Sequence, residues 1–372
     1  MMTKIVTDTD GFLKLREDWE KLTKIDPDAT YYSTFEFNYT WWLTFGQDPG
    51  KELFIVCHYR DRELVAIAPL MIRQIDKKIA KCNVLCFLGK GDYFSFITDS
   101  SRFKSSILMK ELFRTIEQHS SKWDKIELTH LQMDTKLLRY LLRHDRYSQY
   151  TEYLTSCSRI NRDGFDSYEQ FEKEMVDTKM KHKRIKLLRE TGYRFRCVSG
   201  GQTRDIYEQI AQVHQLEKKY LQEMKGRKER RSLFEDRGME RFLRRLFEDN
   251  DHILLFYLES GDGEIIIYKC CYLYQGVLYG WNTGYSPKFS HYHGISDVLL
   301  MEMIRSLFED DRADQIDFGA GTYPWKFRWT NQFSVSYTFA MWNESSRQSR
   351  LLRMLVRYRE LLRAVKQIRN AH

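Results

Sequence analysis

Asp317, Lys326, the two histidines His291 and His293, and the turn they adjoin are the residues here whose types and spacing suit chemistry. Gly294 stands directly before Ile295, Val298, Leu299, Met301, Ile304 and Leu307, apolar residues at helical spacing. A helix starting there offers free backbone N–H groups and the positive end of its dipole, a seat for a phosphate. Ser290, His291, Gly294, Ile295 and Ser296 would form that seat; many helix starts of this kind hold only water. His291 and His293 titrate near neutral pH, so either is a candidate base, or simply an exposed ring. Lys326 lies between Trp325 and Phe327, where a cation holds a phosphate or an oxyanion, or else snorkels beside the rings. Asp317 sits in a short apolar run, able to orient an acceptor or tune a neighbour, or to pair with Lys326 or Arg328. Two histidines with one residue between them lack the further ligands a metal needs, and no metal site is expected.

The elements that must position these groups follow from period and punctuation. Val277, Tyr279 and Trp281 alternate with Leu278, Gly280 and Asn282, which predicts a strand over 277–283. Pro287 and Gly294 bracket a polar turn. A helix over 295–308 and a strand over 315–318 come next. Upstream, Asp10 opens a helix over 10–22, and Phe35, Trp41, Trp42 and Phe45 mark an aromatic second helix. Asp61-Arg62 and Gly261-Asp262-Gly263 each separate two strand-like runs, giving two hairpins. Helices are expected over 105–119 and 203–222. Asp124-Lys125-Ile126-Glu127-Leu128 and Asp314-Gln315-Ile316-Asp317-Phe318 each follow a helix, and Glu63-Leu64-Val65 and Glu264-Ile265-Ile266 open like strands. One order of elements is thus written twice, the mark of an internal duplication. It divides the chain into 1–160, 161–345 and a tail at 346–372.

The 372 residues and 42% hydrophobic content suffice for two cores. Seven scattered cysteines read as reduced thiols rather than a disulfide or zinc framework. The opening MMTKIVTDTDGF has no apolar segment of the signal type, and no run approaches the length of a membrane span. A cytoplasmic protein is expected. The net charge of +8 is concentrated in the tail, where eight basic residues meet one acid, Glu360. A nucleic-acid role for the whole chain is thereby disfavoured. Leu351, Leu355, Tyr358, Leu362 and Val365 share one face of the tail and Arg350, Arg353 and Arg357 the other. Such a helix packs on its own domain or lies on an anionic membrane surface at the inner face of the membrane. The basic runs at 179–189 and 225–231 read as solvated surface, or as recognition of an anionic substrate.

Over about residues 5–342 the sequence resembles a known family. The motifs that carry this are the Trp41-Trp42 helix, ELVAIAPL, FLGKGDYFSF with Asp92-Tyr93, the KHKRIKLLRE helix, GYSPKFSHYHGISDVLL and above all DFGAGTYPWKFRW. Together they look like the tandem-domain branch of the GNAT acyltransferases, the CelD/BcsL-like acetyltransferases, related in fold to the Fem-type peptidyltransferases. The resemblance implies an α+β (or α/β) fold of two GNAT-like domains in tandem, each a mixed, mostly antiparallel sheet flanked by helices. It implies direct transfer of an acyl group, most simply acetyl from acetyl-CoA, to an amine or hydroxyl of a sugar or cell-envelope precursor. The donor would lie between the strands at 277–283 and 315–318, with its pyrophosphate on the 290–296 turn. Asp317, Lys326 and His293 would be catalytic, and Asp92, Tyr93 and Tyr323 would bind the acceptor. The first half would be a degenerate copy shaping the acceptor cleft. The turn reads SHYHG, poorer in glycine than the usual GNAT loop, so a Fem-type donor, aminoacyl-tRNA, stays open. A non-catalytic, membrane-associated interaction protein is the third reading.

Overall fold

The computed structural model describes residues 2–76, 81–248, 250–346, 348–356 and 358. The chain forms two compact units. One holds residues up to Leu154 together with those from Val335 onward; the other holds Thr155–Ser334.

The first unit opens with β1 (Met2–Val6), α1 (Thr9–Leu13), α2 (Arg16–Ile25) and α3 (Phe35–Phe45). The helix expected over 10–22 is therefore two. Asp8, not Asp10, caps the first, accepting the Gly11 N–H at 2.7 Å. Phe35, Trp41 and Trp42 are buried and Phe45 is half-buried. Then come β2 (Lys51–Leu53), β3 (Ile55–Arg60), β4 (Glu63–Ala68), β5 (Leu70–Asp76), β6 (Lys81–Phe87), β7 (Ile97–Thr98), α4 (Ser105–Gln118), β8 (Lys125–Gln132) and α5 (Lys136–Arg143). Asp61 and Arg62 both take positive φ, 49° and 68°, and make the tight turn between β3 and β4. Pro69 cannot donate to a ladder, and there the hairpin changes sheet: β4 pairs β3, whereas β5 pairs β6 and β2. β6 and β8, joined through α4, run parallel.

The second unit contains most of β9 (Thr151–Asn161), then α6 (Tyr168–Met175), α7 (Thr178–Thr191), β10 (Arg194–Ser199), α8 (Gly201–Lys225), α9 (Arg237–Glu248), β11 (Ile253–Glu259), β12 (Ile265–Tyr274), β13 (Val277–Tyr285), α10 (Ile295–Asp310) and β14 (Gln315–Ala320). β10, β11, β12 and β13 form an antiparallel meander, and β14 joins β13 in parallel after α10. α10 is apolar nearly all round. Ile295, Val298, Leu299, Leu300, Met301, Met303, Ile304 and Leu307 are buried between β11–β12 and α6–α7. Burial at roughly 1.5–3 kcal/mol per large side chain fixes this helix, and with it the position of its first turn.

The two units repeat one order: antiparallel strands, a helix, then a strand parallel to an earlier one, β8 to β6 in the first and β14 to β13 in the second. The matched segments at 124–128 and 314–318 open β8 and β14, and those at 63–65 and 264–266 open β4 and β12. The last strands depart from the linear order. β9 pairs β14 in the second unit, and β15 (Phe333–Trp342) pairs β8 in the first. The compact units thus differ from the expected 1–160 and 161–345. Alternation marks each segment as a strand but carries no information about which edge receives it.

All seven cysteines are free, and Cys57, Cys82, Cys157, Cys270 and Cys271 are buried. Burial pushes the Cys57 and Cys271 thiols up to about 12. Residues 348–356 of the tail are helical, and the buried Leu352 packs on Cys82 and Val84. Leu351 and Tyr358, expected on the docking stripe, are exposed. The rest of the expected tail helix, with Leu362 and Val365, lies outside the described residues.

Candidate functional site

The site is built where β13 and β14 part. Their ladder covers three pairs only, Val277–Gln315, Leu278–Ile316 and Tyr279–Asp317, although β13 continues to Tyr285 and β14 to Ala320. The cause is local. Cys271 faces Gly280 and Cys270 faces Asn282, so Trp281 is an extra residue in β13, and this bulge bends the strand. On the other side, β14 shifts register against β9 between Asp317 and Ala320. Beyond Tyr279, β13 therefore presents backbone donors and acceptors that an extended, amide-bearing ligand can use in place of a strand.

Asp317 and Lys326 shape the end of β14. Asp317 is fully buried, and its Oδ1 accepts the Gly319 N–H at 2.7 Å. Lys326 is 2% exposed, and its Nζ donates to the carbonyls of Gly319 at 2.6 Å and Ala320 at 3.1 Å. The sequence left Lys326 either holding a phosphate or an oxyanion or snorkelling at the surface; here it is buried and holds backbone carbonyls. Burial and then the charge of Asp317 hold the Tyr279 phenol well above its ordinary range.

The start of α10 lies next along the chain. Gly294 is its N-cap at φ +82°, where other residues are strained, and no side chain caps the helix. Among the described residues, the Ile295 and Ser296 amides find no acceptor, whereas those of Asp297 and Val298 return to the Gly294 carbonyl. A Cβ on Gly294 would meet Lys183 Cδ at 2.5 Å and Nζ at 2.8 Å. Lys183 thus crosses the helix start from α7 and reaches Asp297 Oδ2 at 3.1 Å. Arg328 reaches Asp297 Oδ1, also at 3.1 Å. Beside them is a hollow of about 180 Å³ lined by Lys183, Lys186, His291 and His293 among others. Two cations, two histidines and free amides make it a fitting seat for a phosphate. Ser290 is engaged elsewhere: its hydrogen bond holds the Tyr220 phenol below the ordinary range.

The expected residues are therefore only partly gathered. Asp317 and Lys326 meet around Gly319, and His293 lies with His291 at the helix start, exposed. Tyr323 is 58% exposed, its ring 5.4 Å from Lys326 Nζ. Tyr93, expected to bind an acceptor, is 1% exposed and packs edge-on against Tyr32, a core residue of the first unit. The aromatic density of that segment made burial its simplest use. Asp92 is half-buried there, and its charge opposes the burial that lowers His130. Asp297 is the residue the sequence did not single out; Lys183 and Lys186 lay within the basic run at 179–189, and Arg328 was named only as a partner for Asp317. Lys183, Lys186 and Leu187 do share a helical face, and that spacing was the available signal. Among the described residues, no group of three or more His, Cys, Asp or Glu side chains is placed for a metal ion.

An antiparallel sheet with one parallel pair that separates at a bulge, beside a helix start fit for phosphate, is the GNAT-type α+β fold. Residues 176–327 match the family model described as "Acetyltransferase (GNAT) domain". Among solved structures, the chain is similar to FemX, with a TM-score of 0.60 at 11% identity over 92% of this chain and 98% of that one. It is similar also to L-PGS from Bacillus licheniformis, with a TM-score of 0.53 at 15% identity over 90% of this chain and 94% of that one. A third is the C-terminal domain of a putative lysylphosphatidylglycerol synthetase from Agrobacterium fabrum, TM-score 0.53 at 13% identity, covering 93% and 96%. These likenesses are of fold. No curated protein sequence matches.

Proposed function

We propose that the chain is an acyltransferase whose second unit binds an acyl-CoA, most simply acetyl-CoA. The pyrophosphate would take the amides of Ile295 and Ser296 and the ammonium groups of Lys183 and Lys186. The amide-bearing arm would lie along the edge of β13 that β14 leaves. Transfer is direct: the acceptor's amine or hydroxyl attacks the acyl carbon and the thiol departs. The acceptor we favour is a sugar or cell-envelope precursor, in line with the CelD/BcsL-like wording of the sequence and with the exposed ring of Tyr323. The observation that carries the reading is the parting of β13 from β14 directly before a helix start furnished for phosphate. Calorimetric titration with acetyl-CoA tests it. Micromolar binding is expected, and Gly294→Glu, which puts a carboxylate against the amides, abolishes it. Wild-type protein that takes up no acetyl-CoA would overturn this reading and bring aminoacyl-tRNA forward as donor.

A further inference from the structure

α8 lies against β12 and β13 and buries a carboxylate there. Glu217 is 7% exposed as a residue. Its Oε2 accepts from Lys218 Nζ at 2.7 Å, and 9% of the side chain remains open. The strand opposite it is reduced to a hydrogen at the point of approach. A Cβ built on Gly284 would lie 2.9 Å from Tyr268 Cε1, 3.2 Å from Tyr268 Oη and 3.3 Å from Glu217 Oε2. A carboxylate and a phenol therefore face the same short stretch of β13. Asn282 extends the polar row, its Nδ2 donating to Tyr268 Oη at 3.4 Å. Gly284 belongs to the section of β13 beyond Tyr279, where β14 has already left. The polar row thus lies over the section of β13 whose other edge β14 has left.

Resting on the acyl-CoA reading above, we propose that Glu217 is the general base that takes the acceptor's proton. The acceptor's N–H or O–H proton passes to Glu217 Oε2, and its electron pair forms the bond to the acyl carbon. The carbon–sulfur bond breaks, the sulfur leaves with the bonding pair, and the thiolate takes a proton from water. Glu217 returns its own proton to water. The surroundings suit such a role. Burial, the largest effect, raises the Glu217 carboxyl, against the opposing pull of Lys218 and then Arg230. His214 lies one turn back on α8, held near its neutral form by burial. Tyr268 faces the carboxylate from β12, and Tyr285 from the end of β13, its phenol raised by burial and then by Glu217. A carboxylate so raised is a stronger base than one in water. Turnover then rises with pH as Glu217 loses its proton and is flat above.

The test follows thiol release from acetyl-CoA by the full chain, with water and with glucosamine as acceptors, over about pH 5–9. Calorimetry with acetyl-CoA runs in parallel. For Glu217→Gln we expect kcat to fall about 100-fold or more, an unchanged acetyl-CoA Kd and loss of the acid limb. For Glu217→Ala, added formate restores part of the rate, which a merely structural residue would not show. Equal rates in wild type and Glu217→Gln, with acetyl-CoA bound by both, overturn the base and leave the donor site standing. Loss of acetyl-CoA binding in Glu217→Gln also overturns it, by making the residue structural. No acetyl-CoA binding by the wild type removes the donor reading and the base together.

Discussion

Lys326 directs its charge at two backbone carbonyls. Replacing it by Met leaves the Gly319 and Ala320 oxygens without that donor, at about 1–3 kcal/mol. The urea midpoint of Lys326→Met should fall accordingly, and an unchanged midpoint would show that the contact is dispensable. The residue type and its aromatic neighbours were plain in the sequence, yet its direction was not. A lysine between Trp325 and Phe327 reads as a cation for a phosphate or an oxyanion, or as a snorkelling one, and only the curl of β14 around Gly319 supplies the carbonyls that hold it inward. Gly294 was legible because a positive φ leaves its mark on composition. Glu217 was not: α8 carries charged residues toward both its ends, and nothing in their spacing marks the one turned toward Gly284.

At the scale of elements, the site depends on α7 lying across the start of α10. Exchanging both Lys183 and Lys186 for Met removes two charge-assisted contacts from the hollow. Acetyl-CoA binding should weaken by roughly 10–100-fold, and its salt dependence should flatten. Titration at low and high ionic strength checks both; an unaltered Kd would place the phosphates elsewhere. Strand and helix positions along the site were well anticipated: 277–283, 295–308 and 315–318 correspond to Val277–Tyr285, Ile295–Asp310 and Gln315–Ala320. The parting of the strands was not legible from the residues alone. A bulge is a relation between two strands, and Trp281 looks like any alternating strand residue until Cys270 and Cys271 are placed opposite it. The break between α1 and α2 was missed for a similar reason, because an apolar face continues across it.

Taken whole, the molecule repeats its order of elements in two units, and this was visible in the matched segments at 124–128 and 314–318. The destination of the final strands was not. A chain cut after residue 160 yields a piece of 161–345 whose β14 lacks its neighbour β9 and whose β15 lacks β8. That fragment should aggregate through its open strand edges, whereas 151–334, which keeps β9 on β14, should run as a monomer in gel filtration. A monomeric, stable 161–345 would refute this. The buried thiols have a practical consequence of their own. Cys57 and Cys82 belong to the first unit, Cys157, Cys270 and Cys271 to the second. Alkylating reagents attack thiolates, and these thiols are both enclosed and, at Cys57, Cys270 and Cys271, reluctant to ionise. Each is modified only when its surroundings open. The time course of labelling at each cysteine, read by peptide mass, is therefore a separate clock for the opening of each unit, written into the chain without any added probe.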